Sequence, residues 1–86
     1  MPEISRFFGI VIYMYFDDHL PPHFHARYSG FEAVVDIESL TVLAGSLPHR
    51  ALGMVVEWAS SRQHELMDNW ERASSMKNLE KIEPLR

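Results

Sequence analysis

The chain has 86 residues, of which 47% are hydrophobic and 12% aromatic, which is enough for one small domain with its own core and excludes a disordered chain. It contains no cysteine, so disulfides and thiolate metal sites are excluded, and any metal must be held by histidine and carboxylate groups. The net charge of −4 does not favour nucleic acid as a partner, because such binding usually depends on a basic surface.

Targeting and membrane segments are not expected. The longest apolar run, residues 7–16, is interrupted by a glycine and two tyrosines and is far shorter than the roughly 20 residues that a membrane-spanning helix needs. Residues 2–6 lack the basic region and apolar stretch of a secretion signal. Together with the lack of cysteine, this predicts a cytoplasmic protein with no membrane association.

Strand-forming residues dominate the first part of the chain. Residues 8–16 are rich in β-branched and aromatic side chains. Their even-numbered positions form an apolar face: Phe8, Ile10, Ile12, Met14 and Phe16. Residues 17–22 follow as a turn, because Pro21 and Pro22 each fix φ and remove a backbone donor. We therefore predict a first strand over residues 8–16 and a turn that leads into a second strand.

The next two strands, residues 23–28 and 31–37, are predicted to form a β-hairpin. Only Ser29 and Gly30 separate them, and a two-residue loop of this kind fixes the register. The predicted pairs are His23 with Asp36, Phe24 with Val35, His25 with Val34, Ala26 with Ala33, Arg27 with Glu32, and Tyr28 with Phe31. One face of the hairpin is then apolar, and the other carries histidine and arginine toward solvent or a partner.

The rest of the chain is predicted to be mainly helical. A fourth strand is expected over residues 40–44, and Ser46 is a candidate N-cap ahead of the helix. Apolar residues then recur at helical spacing over residues 50–74. The Ser60-Ser61 pair is expected to bend this helix or split it in two. Residues 79–85 are expected to form a short edge strand or an extended tail.

These elements predict an α+β fold in a single domain, residues 1–86. The sheet is a small antiparallel β-meander of three to five strands. One long C-terminal helix, straight or bent, packs on its apolar face, since this arrangement buries both apolar surfaces in two layers. A short strand or tail completes the chain.

The histidine-rich turn is the main candidate site. His23 and His25 project from the same face of a strand, about 7 Å apart along the chain, and can offer two nitrogens to Zn, Ni, Cu or Fe. His19, or one of Asp17 and Asp18, would add a third ligand from the turn. The predicted ligands of a divalent transition metal are His19, His23, His25 and Asp18.

Other interpretations use the same segment. Asp36, opposite His23, would bind the metal or orient the imidazole of His23. In a purely structural interpretation, the histidines on an exposed sheet face only form hydrogen bonds with carboxylates, and the Asp17-Asp18 pair shapes the turn. The sequence leaves these possibilities open.

A metal-free hydrolase, acting for example on RNA, is a further possibility. His23 or His25 would act as base, Arg27 would stabilise developing negative charge, and Tyr15 would orient the substrate. Arg27 also faces Glu32 across the hairpin, and a cross-strand ion pair would explain the presence of Arg27 on this face without any catalytic role.

The interpretation that we favour from the sequence is a small intracellular interaction module. Its binding surface would be the histidine and arginine face, comprising His19, His23, His25, Arg27 and Asp36. A partner protein would dock on this face, and an edge strand would offer a second copy of the chain a place to pair.

Three segments together carry a resemblance to a known family: residues 4–10 (ISRFFGI), residues 21–28 (PPHFHARY) and residues 45–48 (GSLP). The chain resembles the bacterial family called domain of unknown function 4160 over essentially its whole length. The resemblance implies a small cytoplasmic protein, often encoded beside a member of another small family, domain of unknown function 2442. That pairing implies a toxin–antitoxin-like module. The resemblance to the family assigns no catalytic or binding residue.

Overall fold

The computed structural model describes residues 2–86 as a five-stranded sheet and two helices. The strands are β1 (Glu3–Phe7), β2 (Ile10–Tyr13), β3 (His23–Tyr28), β4 (Phe31–Asp36) and β5 (Val42–Ser46), followed by α1 (His49–Ser60) and α2 (Gln63–Ser74). The strands lie in chain order and each pairs antiparallel with the next. This confirms the predicted α+β class and the β-meander.

The N-terminal part differs from its prediction, because two strands replace one. The strand predicted over residues 8–16 is limited to β2, and β1 pairs with it through a turn at Phe8 and Gly9. Both turn residues have positive φ, 49° and 80°, which matches the twist of a two-residue hairpin loop. Phe8 is consequently 62% exposed, and Phe16, beyond the end of β2, is also exposed. The apolar alternation alone did not show where the chain turns.

The hairpin of β3 and β4 has the predicted register in all six pairs. Four residues of its apolar face, Phe24, Ala26, Ala33 and Val35, are each 0% exposed, whereas Phe31 beside the hairpin loop is 47% exposed. On its other side, β3 pairs with β2, so β3 is the central strand of the sheet. A rigid central strand therefore holds His23 and His25 in place.

The helical part consists of two helices, which is the split expected near Ser60-Ser61. Ser61 and Arg62 separate α1 from α2. Trp58 of α1 and Leu66 of α2 are buried in the hydrophobic core that the helices share with the sheet. The prediction of Ser46 as N-cap is wrong. Ser46 is the last residue of β5 and pairs with Glu32, which commits its backbone to the sheet.

The C-terminal segment is an extended tail rather than a strand; all of residues 79–85 are described and none has strand structure. Ile82 is buried, and its N–H donates to Ile4 O at 2.8 Å. The Ser5 hydroxyl donates in turn to Ile82 O at 2.9 Å. The tail thus covers β1. Within residues 2–86, neither helix is long and apolar enough to cross a membrane.

Candidate metal centre

The turn between β2 and β3 brings Asp18 against the first residues of β3. The backbone N–H of Asp17 donates to Ala73 O at 3.1 Å, which fixes the turn to the end of α2. The Asp18 carboxylate accepts a hydrogen bond from the His19 N–H through Oδ1, at 2.8 Å. Its other oxygen, Oδ2, faces the two histidines of β3.

His23 is buried, with 3% of its surface exposed, and each of its ring nitrogens faces an oxygen. Nδ1 lies 2.7 Å from the carbonyl oxygen of Pro21, and Nε2 lies 2.9 Å from Asp18 Oδ2. A carbonyl only accepts, so Nδ1 carries a proton, and a neutral imidazole has no second proton for Nε2. Two acceptors therefore face each other unless a second proton or a metal cation lies between Nε2 and the carboxylate.

His25 presents a second nitrogen to the same carboxylate. Its Nε2 is 3.6 Å from Asp18 Oδ2, which is too long for a hydrogen bond. That nitrogen is buried and has no hydrogen-bond partner within the described chain. The ring stacks on Tyr13 at 5.0 Å between centroids and meets Tyr15 edge-on at 4.8 Å. The aromatic rings thus hold a ring nitrogen without a hydrogen-bond partner toward Asp18.

The ionisation states suit a cation. Burial lowers the pKa of His25, and the partial compensation from Asp18 does not reverse this, so its imidazole is neutral near neutral pH. Burial on its own would raise the pKa of the Asp18 carboxyl, but the hydrogen bond from the His19 N–H and the interaction with His23 outweigh it and lower the pKa. A neutral imidazole and an ionised carboxylate are the forms that bind metals.

Asp18, His23 and His25 together form a set of two histidines and one carboxylate. One ligand atom of each lies within 4.8 Å of the other two. For bonds of about 2.1 Å to a tetrahedral metal, neighbouring ligand atoms lie about 3.4 Å apart. The 2.9 Å and 3.6 Å distances around Asp18 Oδ2 fall on either side of that value. Such a set suits Zn, Fe, Ni or Cu and leaves coordination positions open.

Of the remaining predicted ligands, His19 lies close to this set but outside it. Its side chain is 86% exposed, and its Nε2 is 3.7 Å from Asp18 Oδ1. Its Nδ1 lies 3.2 Å from Leu20 O. Asp36 pairs with His23 as predicted, but its carboxylate instead accepts hydrogen bonds from the backbone of residues 38 and 39.

The two other predicted catalytic residues lie in different places. Tyr15 lines the cavity beside the histidines. The Arg27 guanidinium lies over the Tyr13 ring, 5.3 Å from its centroid, and does not line that cavity. The expectation that the histidine face is open to solvent is wrong for His23, because the turn and Trp70 cover it, with Trp70 at 5.0 Å between ring centroids.

A cavity of about 470 Å³ opens beside the three candidate ligands. Its lining consists of Tyr15, Asp18, His19, Pro21, His23, His25, Val34, Leu43 and Ala44. Sequence reasoning did not assign Leu43 and Ala44 to the site. The register of β5 depends on an irregularity at Val34 and Val35, which has no signal in the sequence.

The family model described as Domain of unknown function (DUF4160) matches residues 9–71. The match includes the turn, β3 and every residue that lines the cavity, and the chain belongs to this family. No curated protein and no solved structure matches the chain.

Proposed function

We propose that this member of the DUF4160 family binds a divalent transition metal through Asp18, His23 and His25 and uses it in the adjacent cavity. The observation that carries the proposal is the environment of His23. A histidine that donates one N–H to a backbone carbonyl while its other nitrogen faces a carboxylate has the orientation typical of metal-ligating histidines.

Each residue has a distinct role in this proposal. Asp18 supplies negative charge and Oδ2, while the Pro21 carbonyl fixes the tautomer of His23 so that Nε2 is the ligating atom. His25 supplies the unpaired Nε2. Three protein ligands leave at least one coordination position for water or substrate, as in catalytic rather than structural metal sites. Such a site supports hydrolysis through an activated metal-bound water.

The direct test is metal binding by protein purified without a histidine tag. After removal of metals by a chelator, the protein is titrated with Co²⁺, followed by visible absorption, and then with Zn²⁺ in competition. We expect about one equivalent to bind at saturation and to raise the melting temperature. The lack of a stoichiometric cobalt spectrum and of any thermal shift would refute the proposal.

Variants assign the ligands. Asp18→Asn and His25→Gln each remove one ligand with little change in volume, and we expect each to weaken cobalt binding by at least about 100-fold. His19→Gln is the matched control, because His19 is a histidine of the same turn but lies outside the ligand set. The cobalt affinity of His19→Gln should remain within about twofold of that of the unaltered protein. Equal losses in all three variants would mean that the assigned ligands are wrong.

The second candidate function is a cytoplasmic interaction module that acts in a toxin–antitoxin-like pair with a neighbour-encoded small protein. Strand β5 favours it, because it lies at the edge of the sheet and is exposed along its whole length, including Val42 and Leu43. A partner strand or a second copy would pair with such an edge. Co-expression with the neighbouring gene product, followed by size-exclusion chromatography, tests it, and elution as two separate monomers would count against it.

A further inference from the structure

The cavity beside the proposed metal centre has walls of two kinds. Its polar lining comes from Asp18, His23 and His25, and its apolar lining includes Val34, the cross-strand neighbour of His25, and Leu43. Leu43 is 46% exposed, so a molecule in the cavity would cover apolar surface that now faces water. A volume of about 470 Å³ is in the range of small-molecule sites.

The charge of the site restricts its ligand further. Two neutral histidines, one carboxylate and a divalent metal leave a net charge of +1, which a single anionic group neutralises. Among residues 2–86, those lining the cavity include no lysine or arginine. Binding to single-stranded nucleic acid usually requires a basic groove that follows successive phosphates, and this cavity offers no such groove.

We infer that the cavity binds a small monoanionic molecule with a metal-binding head and an apolar or aromatic body, rather than RNA. The inference rests on the proposed metal centre, because the metal supplies the positive charge. The head would occupy the open coordination position beside His25. The body would lie against Leu43 and Val34, with the ring of Tyr15 at its side.

Two hydroxamates test the inference, since they share one metal-binding head and differ in the body. The cobalt-loaded protein is titrated with acetohydroxamate, benzohydroxamate and a short single-stranded RNA, and binding is followed by the cobalt spectrum and by calorimetry. We expect benzohydroxamate to bind about tenfold more tightly than acetohydroxamate, because its ring removes apolar surface from water. The RNA should bind more weakly than either.

A pair of variants ties this preference to the cavity wall. Leu43→Ser should reduce the preference for benzohydroxamate to about twofold or less, because the wall then offers less apolar surface to the ring. Phe31→Ser is the matched control, because Phe31 is an exposed sheet residue of similar accessibility, 47%, that does not line the cavity. It should retain the full preference.

The outcomes separate this inference from the proposed function. If cobalt does not bind before any ligand is added, the metal centre itself is refuted. If cobalt binds but the two hydroxamates bind equally well, or RNA binds more tightly than both, the metal centre stands and the inferred ligand class is overturned. Loss of the preference in Phe31→Ser as well as in Leu43→Ser would likewise overturn the assignment of the apolar wall.

Discussion

His23 combines a structural and a chemical role in one buried imidazole. Its Nδ1 joins the turn through Pro21 O, its Nε2 faces Asp18, and its ring lies against Trp70. The turn, the sheet and α2 all meet at this ring. Removing it should therefore change stability even when no metal is present.

We expect His23→Ala to lower the free energy of unfolding of the metal-free protein by about 2–4 kcal/mol. The change removes the hydrogen bonds to Pro21 O and Asp18 and leaves a cavity against Trp70. Urea denaturation at neutral pH with a chelator present measures the loss. His64→Ala is the control, because His64 is exposed on α2, and it should change stability by less than about 0.5 kcal/mol. Equal stability of the two variants would contradict the structural role of His23.

For Asp36, the prediction concerns how the stability of the protein depends on pH, not its affinity for a metal. Its carboxylate accepts hydrogen bonds from the Ser39 and Glu38 N–H groups at 2.9 and 2.8 Å, which lower the pKa of Asp36 below its ordinary value of 3.8. The unfolded chain therefore takes up the proton at higher pH than the folded chain. The stabilisation is complete above pH 3.8 and is lost as the pH falls through the lower folded pKa.

The matched variant is Asp36→Asn, which keeps a side-chain oxygen acceptor but does not titrate. Between about pH 5 and pH 3, the unaltered protein should lose more stability than Asp36→Asn. Urea denaturation at a series of pH values measures the difference. Parallel curves for the two proteins would show that the Asp36 carboxylate makes no pH-dependent contribution.

Among the elements, β5 depends on one glycine. Gly45 has φ of +72°, and a Cβ at this position would overlap the carbonyl group of Glu32 on β4. We expect Gly45→Ala to destabilise the protein by about 2 kcal/mol or more, because it combines backbone strain with a steric overlap. Thermal and urea denaturation measure the loss.

Gly53 in α1 is the natural control for Gly45. A Cβ added at Gly53 meets no atom within 4 Å, and alanine has the higher helix propensity. Gly53→Ala should therefore stabilise the protein by about 0.5–1 kcal/mol. Gly45→Ala and Gly53→Ala are thus expected to change the free energy of unfolding in opposite directions. A similar change in both variants would contradict the placement of β5.

The elements that could be predicted from the sequence are those determined by local rules. The register of β3 and β4 follows from the two-residue loop at Ser29-Gly30, and it is confirmed pair by pair. The turn at Phe8 and Gly9 was missed, because Phe8 continues the apolar alternation although its side chain is exposed. Ser46 has the chemistry of an N-cap, but pairing within the sheet takes precedence over this local preference.

The site could be predicted in part for a similar reason. The sequence indicates that His23 and His25 share a face and that a carboxylate of the turn lies near them. It does not indicate that Asp18 rather than His19 reaches them, since this depends on how the turn is fixed to α2 through Asp17. The apolar wall at Leu43 depends on the irregular pairing of β5, which sequence spacing does not contain.

At the scale of the whole molecule, the C-terminal tail connects the helices to the first strand. The Trp58 indole N–H donates to Glu83 O at 2.7 Å, and the N–H of Ile82 donates to Ile4 O at 2.8 Å. Two residues before Ile82, Asn69 of α2 binds both backbone polar groups of Glu80. Its Nδ2 donates to Glu80 O and its Oδ1 accepts from Glu80 N–H, each at 2.8 Å.

Asn69 is 1% exposed, so its amide is one of the buried links that position the tail. Asn69→Ala removes two hydrogen bonds and leaves the N–H and carbonyl of Glu80 without these partners, which should cost about 2–3 kcal/mol. Asn78→Ala, at an exposed asparagine just before the tail, should cost less than about 0.5 kcal/mol.

Hydrogen exchange of the Asn69→Ala variant shows whether the tail is released by itself, which overall stability does not show. In Asn69→Ala, the amides of Glu80 and Ile82 should exchange faster under conditions where those of β3 stay protected, because only the tail is released. Uniform acceleration across both regions would show instead that the tail and the sheet unfold as one unit.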